Sequence, residues 1–299
     1  MAKSGKFAFG VASLLAAYCS LLAFDASADS DAVVAPSALT PATNFGGLWW
    51  KAPGGSEAGW GINFAHQGDV IFATWYTYDA TGSALWMVMT AYRAAAGVYS
   101  GTLYRTTGPP YSATPFDPSL GTRTVVGTGT LTFSDPNNGV FDYTVGGITQ
   151  SKPITHQIFG PLPTCTFGAQ PNLALATNYQ DLWWNPAESG WGINLTQQGS
   201  TIFASWFTYE SDGTPFWLTV TAVPTVQPFS YAGTLYRASG PAFFTVPFDP
   251  ENVTQMPVGV ATLTFADGNH ATLTYSLYSV NQSKNITREV FAAPGTVCQ

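Results

Sequence analysis

The sequence predicts an all-β chain built as two tandem eight-stranded antiparallel up-and-down β-barrels, with paired two-sheet sandwiches as the alternative. Three observations carry that prediction: an internal duplication, hydrophobic residues alternating with a period of two, and turn chemistry at short intervals where helix signals would otherwise run. The duplication is direct. Gly47-Leu48-Trp49-Trp50 returns as Asp181-Leu182-Trp183-Trp184, and Gly59-Trp60-Gly61-Ile62-Asn63 as Gly190-Trp191-Gly192-Ile193-Asn194. Ile71 to Trp75 returns as Ile202 to Trp206, Gly101-Thr102-Leu103-Tyr104-Arg105 as Gly233-Thr234-Leu235-Tyr236-Arg237, and Gln150-Ser151-Lys152 as Gln282-Ser283-Lys284. The offset stays between 131 and 134, so the copies span about 44–160 and 178–299, joined by a linker at 161–177.

Within the first copy the strands fall near 46–51, 59–66, 70–78, 84–93, 98–107, 124–134, 139–145 and 148–159. Gln67-Gly68-Asp69, Thr81-Gly82-Ser83, Asn137-Asn138-Gly139 and Gly146-Gly147 punctuate them as turns. Thr128, Thr130 and Thr132 face one way, while Leu131 and Phe133 face the other. Only 108–123, with Pro109, Pro110 and Pro118 among its residues, makes a longer crossing, and a succession of hairpins favours a meander that closes on itself. Strands 70–78 and 84–93 carry large apolar groups on both faces. One face fills the interior; the other needs the sister copy or a partner.

Ahead of the copies, Lys3 and Lys6 precede an apolar run from Phe7 to Phe24 and then Ala26-Ser27-Ala28, the pattern of a signal peptide over 1–28 cleaved after Ala28. Residues 29–43 read as a loose segment, and the mature chain is expected to be secreted or periplasmic, with no transmembrane segment. Two cysteines then remain, Cys165 and Cys298, flanking the second copy. In an oxidising compartment they suit either a disulfide within the chain or bonds to other chains.

Composition narrows the function classes. With 10 Lys+Arg against 17 Asp+Glu and a net charge of −7, the chain lacks the basic footprint of a nucleic-acid binder. No CxxC or clustered His supports a metal site, and no motif implies a cofactor. His66, His156 and His270 do not recur between copies, where Gln197, Arg288 and Asn138 take their places, so they are expected at the surface. Glu57 and Glu188, Asp117 and Asp249, and Asp135 and Asp267 are matched acids; the aspartates fit turns, and the glutamates fit a barrel mouth. Catalysis is not expected.

Aromatic side chains are the remaining candidates. Trp50, Trp60, Trp75, Trp86 and Tyr104, with Trp184, Trp191, Trp206, Trp217 and Tyr236, would line sites for a small molecule or glycan, or else form core. Glu57, Asn63 and Arg105, with Glu188, Asn194 and Arg237, would supply polar contacts, each Arg through a cation–π contact or an ion pair with Glu57 or Glu188. Lys152 and Lys284 are expected across the Trp of the first strand. The two readings are thus a non-enzymatic exported binding module and a structural or adhesive protein whose aromatics only pack.

The pattern from Leu182 to Gly240, together with its first-copy counterpart, resembles a secreted bacterial repeat found in tandem, of the form G-L-W-W-N-P-x-E-S-G-W-G-I-N, then I-F-A-T-W-F-T-Y, then G-T-L-Y-R-T-T-G-P. The first copy departs from it by a three-residue insertion around Lys51 to Ser56. That family has no settled activity, so the resemblance implies no mechanism. Gly47-Leu48-Trp49 with a basic residue late in the last strand is also similar to calycin barrels such as lipocalins and avidins, which implies the same closed architecture.

Overall fold

A computed structural model describes residues 43–299. The expected signal peptide and nearly all of the segment 29–43 lie outside the described residues. Eight strands form barrel 1: β1 (Gly47–Lys51), β2 (Gly61–Gln67), β3 (Val70–Tyr78), β4 (Ala84–Ala95), β5 (Val98–Thr107), β6 (Thr122–Asp135), β7 (Asn138–Val145) and β8 (Ile148–His156). The linker carries a short strand β9 (Cys165–Phe167). Barrel 2 repeats the order as β10 (Asp181–Trp184), β11 (Gly192–Gln198), β12 (Thr201–Tyr209), β13 (Pro215–Pro224), β14 (Ser230–Ser239), β15 (Thr254–Phe265), β16 (His270–Leu277) and β17 (Val280–Arg288). A last strand, β18 (Thr296–Cys298), follows.

Every neighbour in each barrel is the next strand in sequence, all pairs are antiparallel, and the sheets close by β1 on β8 and β10 on β17. Closure leaves no exposed edge in either barrel. The sandwich alternative is therefore excluded. Inward-facing residues of non-adjacent strands meet across barrel 1: the Trp75 ring lies 5.2 Å from that of Phe141, and Trp49, Phe64 and Phe133 pack tilted and edge-to-face nearer the end that holds the β2–β3 turn.

The outward faces of β3 and β4 pack on their equivalents, β12 and β13, around a pseudo-twofold axis. Tyr76 and Trp86 of barrel 1 meet Phe207, Tyr209 and Trp217 of barrel 2 at centroid distances of 5.0–6.3 Å. The contact is reciprocal: the Trp86 indole donates to the Thr208 carbonyl and the Trp217 indole to the Thr77 carbonyl, both at 2.9 Å. This explains why these strands are apolar on both faces. The two barrels form one compact unit rather than two independent ones.

The linker is ordered and takes part in that unit. Cys165 and Cys298 are bonded to each other, and β9 pairs with β18 as a two-stranded ribbon. The ribbon lies against barrel 1: Phe167 packs edge-on to His66 at 4.8 Å, and the Thr296 hydroxyl, which donates to the His66 carbonyl, accepts from Asn44 Nδ2 at 2.8 Å. The disulfide thus ties linker to tail across both copies.

Candidate functional site

Each barrel has one mouth formed by the β1–β2, β3–β4, β5–β6 and β7–β8 connections, or their counterparts, and the matched residues converge there. In barrel 1, Lys152 on β8 points inward and its Nζ lies 2.8 and 3.0 Å from the Glu57 carboxylate, which also accepts from the Trp60 indole at 3.0 Å. In barrel 2, Lys284 lies 2.8 and 2.9 Å from the Glu188 carboxylate, which accepts from Trp191 at 3.1 Å. Both pairs are largely buried, with side-chain exposures of 8–18%. A carboxylate held between an ammonium and an indole N–H is fully engaged, which makes it a strut across the mouth. The lysines therefore do not lie across a first-strand Trp as expected; Lys152 sits 5.9 Å from the Trp60 ring.

The space beyond each strut is filled by the other barrel. The crossing after β14 carries Phe243 onto Trp75 at 5.6 Å, and the Tyr143 hydroxyl donates to the Phe243 carbonyl at 3.1 Å. The crossing after β5 carries Tyr111 onto Trp206 at 6.4 Å, and the Tyr275 hydroxyl donates to the Tyr111 carbonyl at 2.8 Å. Gln150 and Gln282 clamp these loops through the Phe244 and Ser112 carbonyls at 2.9 and 3.0 Å. Close approach requires glycine where each loop starts: a Cβ on Gly108 would lie 2.4 Å from the Tyr209 ring, and one on Gly240 would lie 2.7 Å from the Tyr78 ring.

The predicted site residues divide accordingly. Trp60, Trp75, Trp191 and Trp206 are 2–6% exposed inside the barrels, and Trp86 and Trp217 are 2–3% exposed between them. Trp50 and Trp184 are half-buried, and the Trp50 indole lies under Gly54 of the insertion. Asn63 and Asn194 face the interface; Asn194 Nδ2 donates to Thr74 Oγ1 at 3.1 Å, while the Asn63 amide and the Ser205 hydroxyl at the mirrored place have no partner among the described residues. Tyr104 is half-buried beneath the Arg123 guanidinium, at 4.5 Å, and Arg105 is exposed. Neither Arg105 nor Arg237 pairs with Glu57 or Glu188, because the lysines occupy those carboxylates. Arg237 instead pairs with Glu210 at 3.1 Å and lies 5.2 Å over Phe216, with Tyr236 beside it at 37% exposure.

Of the three histidines expected at the surface, His66 is buried and His156 is half-buried. His66 is 2% exposed, its Nδ1 accepts from the Phe45 N–H at 3.0 Å, and burial lowers its pKa to about 3. His156 packs on Trp49 at 4.1 Å, and burial lowers its pKa to about 4. His270 is exposed beside Asp267. The aspartates behave as expected of turn residues: Asp117 and Asp249 each accept the backbone N–H two residues on, at 2.9 and 3.0 Å. Sequence reasoning missed Tyr143, Tyr275, Gln150, Gln282 and the plugging pair Phe243 and Tyr111. The first four recur between copies, which was the available signal.

Among the described residues no group of His, Cys, Asp or Glu is arranged to hold a metal ion, and no helix is long and apolar enough to cross a membrane. An open cleft of about 440 Å³ lies where Thr81 and Gly82 of barrel 1 meet the crossing Gly240 to Asn252 of barrel 2. A smaller cavity of about 120 Å³ is lined by Gly47, His156, Gln180 and Cys165. Comparison of the chain with protein-family models, with curated proteins and with solved structures finds no match to any of them.

Proposed function

We propose that this chain is an exported, non-enzymatic structural module, a rigid double barrel whose aromatic residues are used for packing, with recognition left to its outer surface. The observation that carries this reading is the burial of eight of the ten tryptophans, each 6% exposed or less, six inside the barrels and two between them, with each mouth plugged by the sister copy. A ring with no accessible face cannot stack on a sugar. Export rests on the N-terminal sequence pattern, and the lack of enzymatic activity on matched carboxylates that are tied up in struts and turns.

The test is a pair of substitutions, Trp60→Ala and Trp191→Ala, each removing one strut indole. On the packing reading each lowers unfolding stability by about 3–5 kcal/mol, the usual loss for a buried large aromatic, and creates no specific binding defect. Native tryptophan emission should also resist quenching by acrylamide. A ligand that stabilises the native protein but not a still-folded Trp60→Ala variant would overturn the proposal.

A further inference from the structure

We propose that the rim of barrel 2 carries a carbohydrate subsite in which the exposed Tyr278 ring stacks on the C–H face of a neutral sugar while Glu210 and Arg237 bond its hydroxyls. This goes beyond the packing role of the tryptophans, none of which takes part. Arg237 Nη1 lies 3.1 Å from Glu210 Oε1 and donates to the Tyr278 hydroxyl at 3.5 Å. Phe216 supports the guanidinium from beneath, and Tyr111 from the barrel 1 crossing stands 6.0 Å from Phe216. The head groups are fixed from below and open above: the side chains of Arg237 and Glu210 are 41% and 26% exposed, and Tyr278 is 51% exposed. Glu210 Oε1 is shielded from solvent against the guanidinium, so the pair is held in one orientation.

Comparison with barrel 1 shows that none of this is needed to build the fold. The matching positions there are Asp79, Leu85 and Gly146, and only Arg105 is kept. Barrel 1 closes in the same topology without the cluster. Tyr278 has φ +53° in the turn where barrel 1 has Gly146 at φ +57°. A left-handed conformation disfavours a bulky L side chain, so the tyrosine is held against local preference and presented to solvent. The ligand class follows from charge and shape. The ion pair cancels, so the surface does not select an anion, and a fixed carboxylate beside a guanidinium offers acceptors and donors to adjacent hydroxyls. Met256, the cross-strand partner of Arg237 and 62% exposed, adds an apolar side chain to the same strand pair. An open ledge of this kind suits one unit of a longer glycan.

The experiment titrates the full-length mature protein with chitohexaose, cellohexaose and maltohexaose while amide and methyl shifts are followed by NMR. The expected result is saturable shifts centred on Arg237, Met256 and Tyr278 with at least one of the three. Tyr278→Gly installs the first copy's residue and relieves the backbone, so it should keep or raise the melting temperature while weakening binding about tenfold, the loss of one stacked ring. Glu210→Gln should weaken binding, and Arg105→Ala should leave it unchanged. Absence of shifts with all three sugars, shifts centred elsewhere, or undiminished binding by Tyr278→Gly would overturn the proposal, and none of these outcomes bears on the packing role of the tryptophans.

Discussion

Barrels 1 and 2 share strand order, register and mouth strut, yet the opposite ends are finished by different side chains. Barrel 2 uses charge: Arg288 spans the end, its Nε donating to the Gly268 carbonyl at 2.9 Å, Nη1 to Gln180 O at 2.9 Å and Asp181 Oδ2 at 3.1 Å, and Nη2 to Asn178 O at 3.2 Å, while its guanidinium lies 5.2 Å over Trp183. Barrel 1 places neutral His156 on Trp49 and has Gly47 where Asp181 would stand. On the next strand, β2 or β11, His66 Nδ1 and Gln197 Oε1 perform the same task, accepting the N–H of Phe45 at 3.0 Å and of Tyr179 at 2.9 Å. The aromatic stack fixes the geometry of this end. The polar finish is replaceable in space, but its charge sets how the end responds to loss of a partner and to acid.

The largest expected effect breaks the charged finish. Arg288→Ala leaves Asp181 buried without its cation and should lower stability by about 3–5 kcal/mol, whereas His156→Ala removes a neutral ring and should cost less than half of that. Urea unfolding of both variants measures the difference; equal losses would show that charge is irrelevant to the contrast.

Acid should separate the two ends next. Burial, with Asp181 nearby, raises the Glu289 pKa from 4.5 to about 7, so its contribution is fully present below pH 4.5 and is lost as pH rises towards 7. The shift corresponds to at most about 3 kcal/mol. His66 and His156 act in the opposite sense: their contribution is present above pH 6.5 and is lost as pH falls towards 4 and then 3. Glu289→Gln, which installs barrel 1's Gln157, should therefore make stability fall more steeply on acidification from pH 6.5 to 4.5, and His66→Gln, which installs barrel 2's residue, less steeply. Melting temperatures across that window decide it, and unchanged slopes in both variants would refute the assignment. The smallest effect lies at the interface. Ser205→Thr copies Thr74 and should give the Asn63 amide its missing partner, raising stability by about 0.5–1 kcal/mol in thermal unfolding.

The barrel was legible because alternation, turn residues and duplication all point one way. The strand expected near 70–78 is Val70–Tyr78, and that near 98–107 is Val98–Thr107. The two-faced character of β3 and β4 also announced a buried outer surface. What the sequence could not show is which copy each crossing loop covers, because loop exchange between two similar domains leaves composition and periodicity unchanged. Trp75 reads alike whether solvent or Phe243 stands over it. His66 was misjudged because recurrence was treated as a test of burial, although glutamine supplies the same acceptor in the other copy. Lys152 and Glu57, 95 residues apart, are each matched in the second copy, and reading those matches jointly would have found the strut.

The reciprocal seating of the crossing loops makes each barrel the custodian of its twin. To wet the inside of one, its visitor must be withdrawn, and that visitor is rooted beside the visitor's own domain on the far side of the shared axis. Fraying at either mouth is thereby coupled to separation of the halves, so slow amide exchange in the two interiors should report one common opening event.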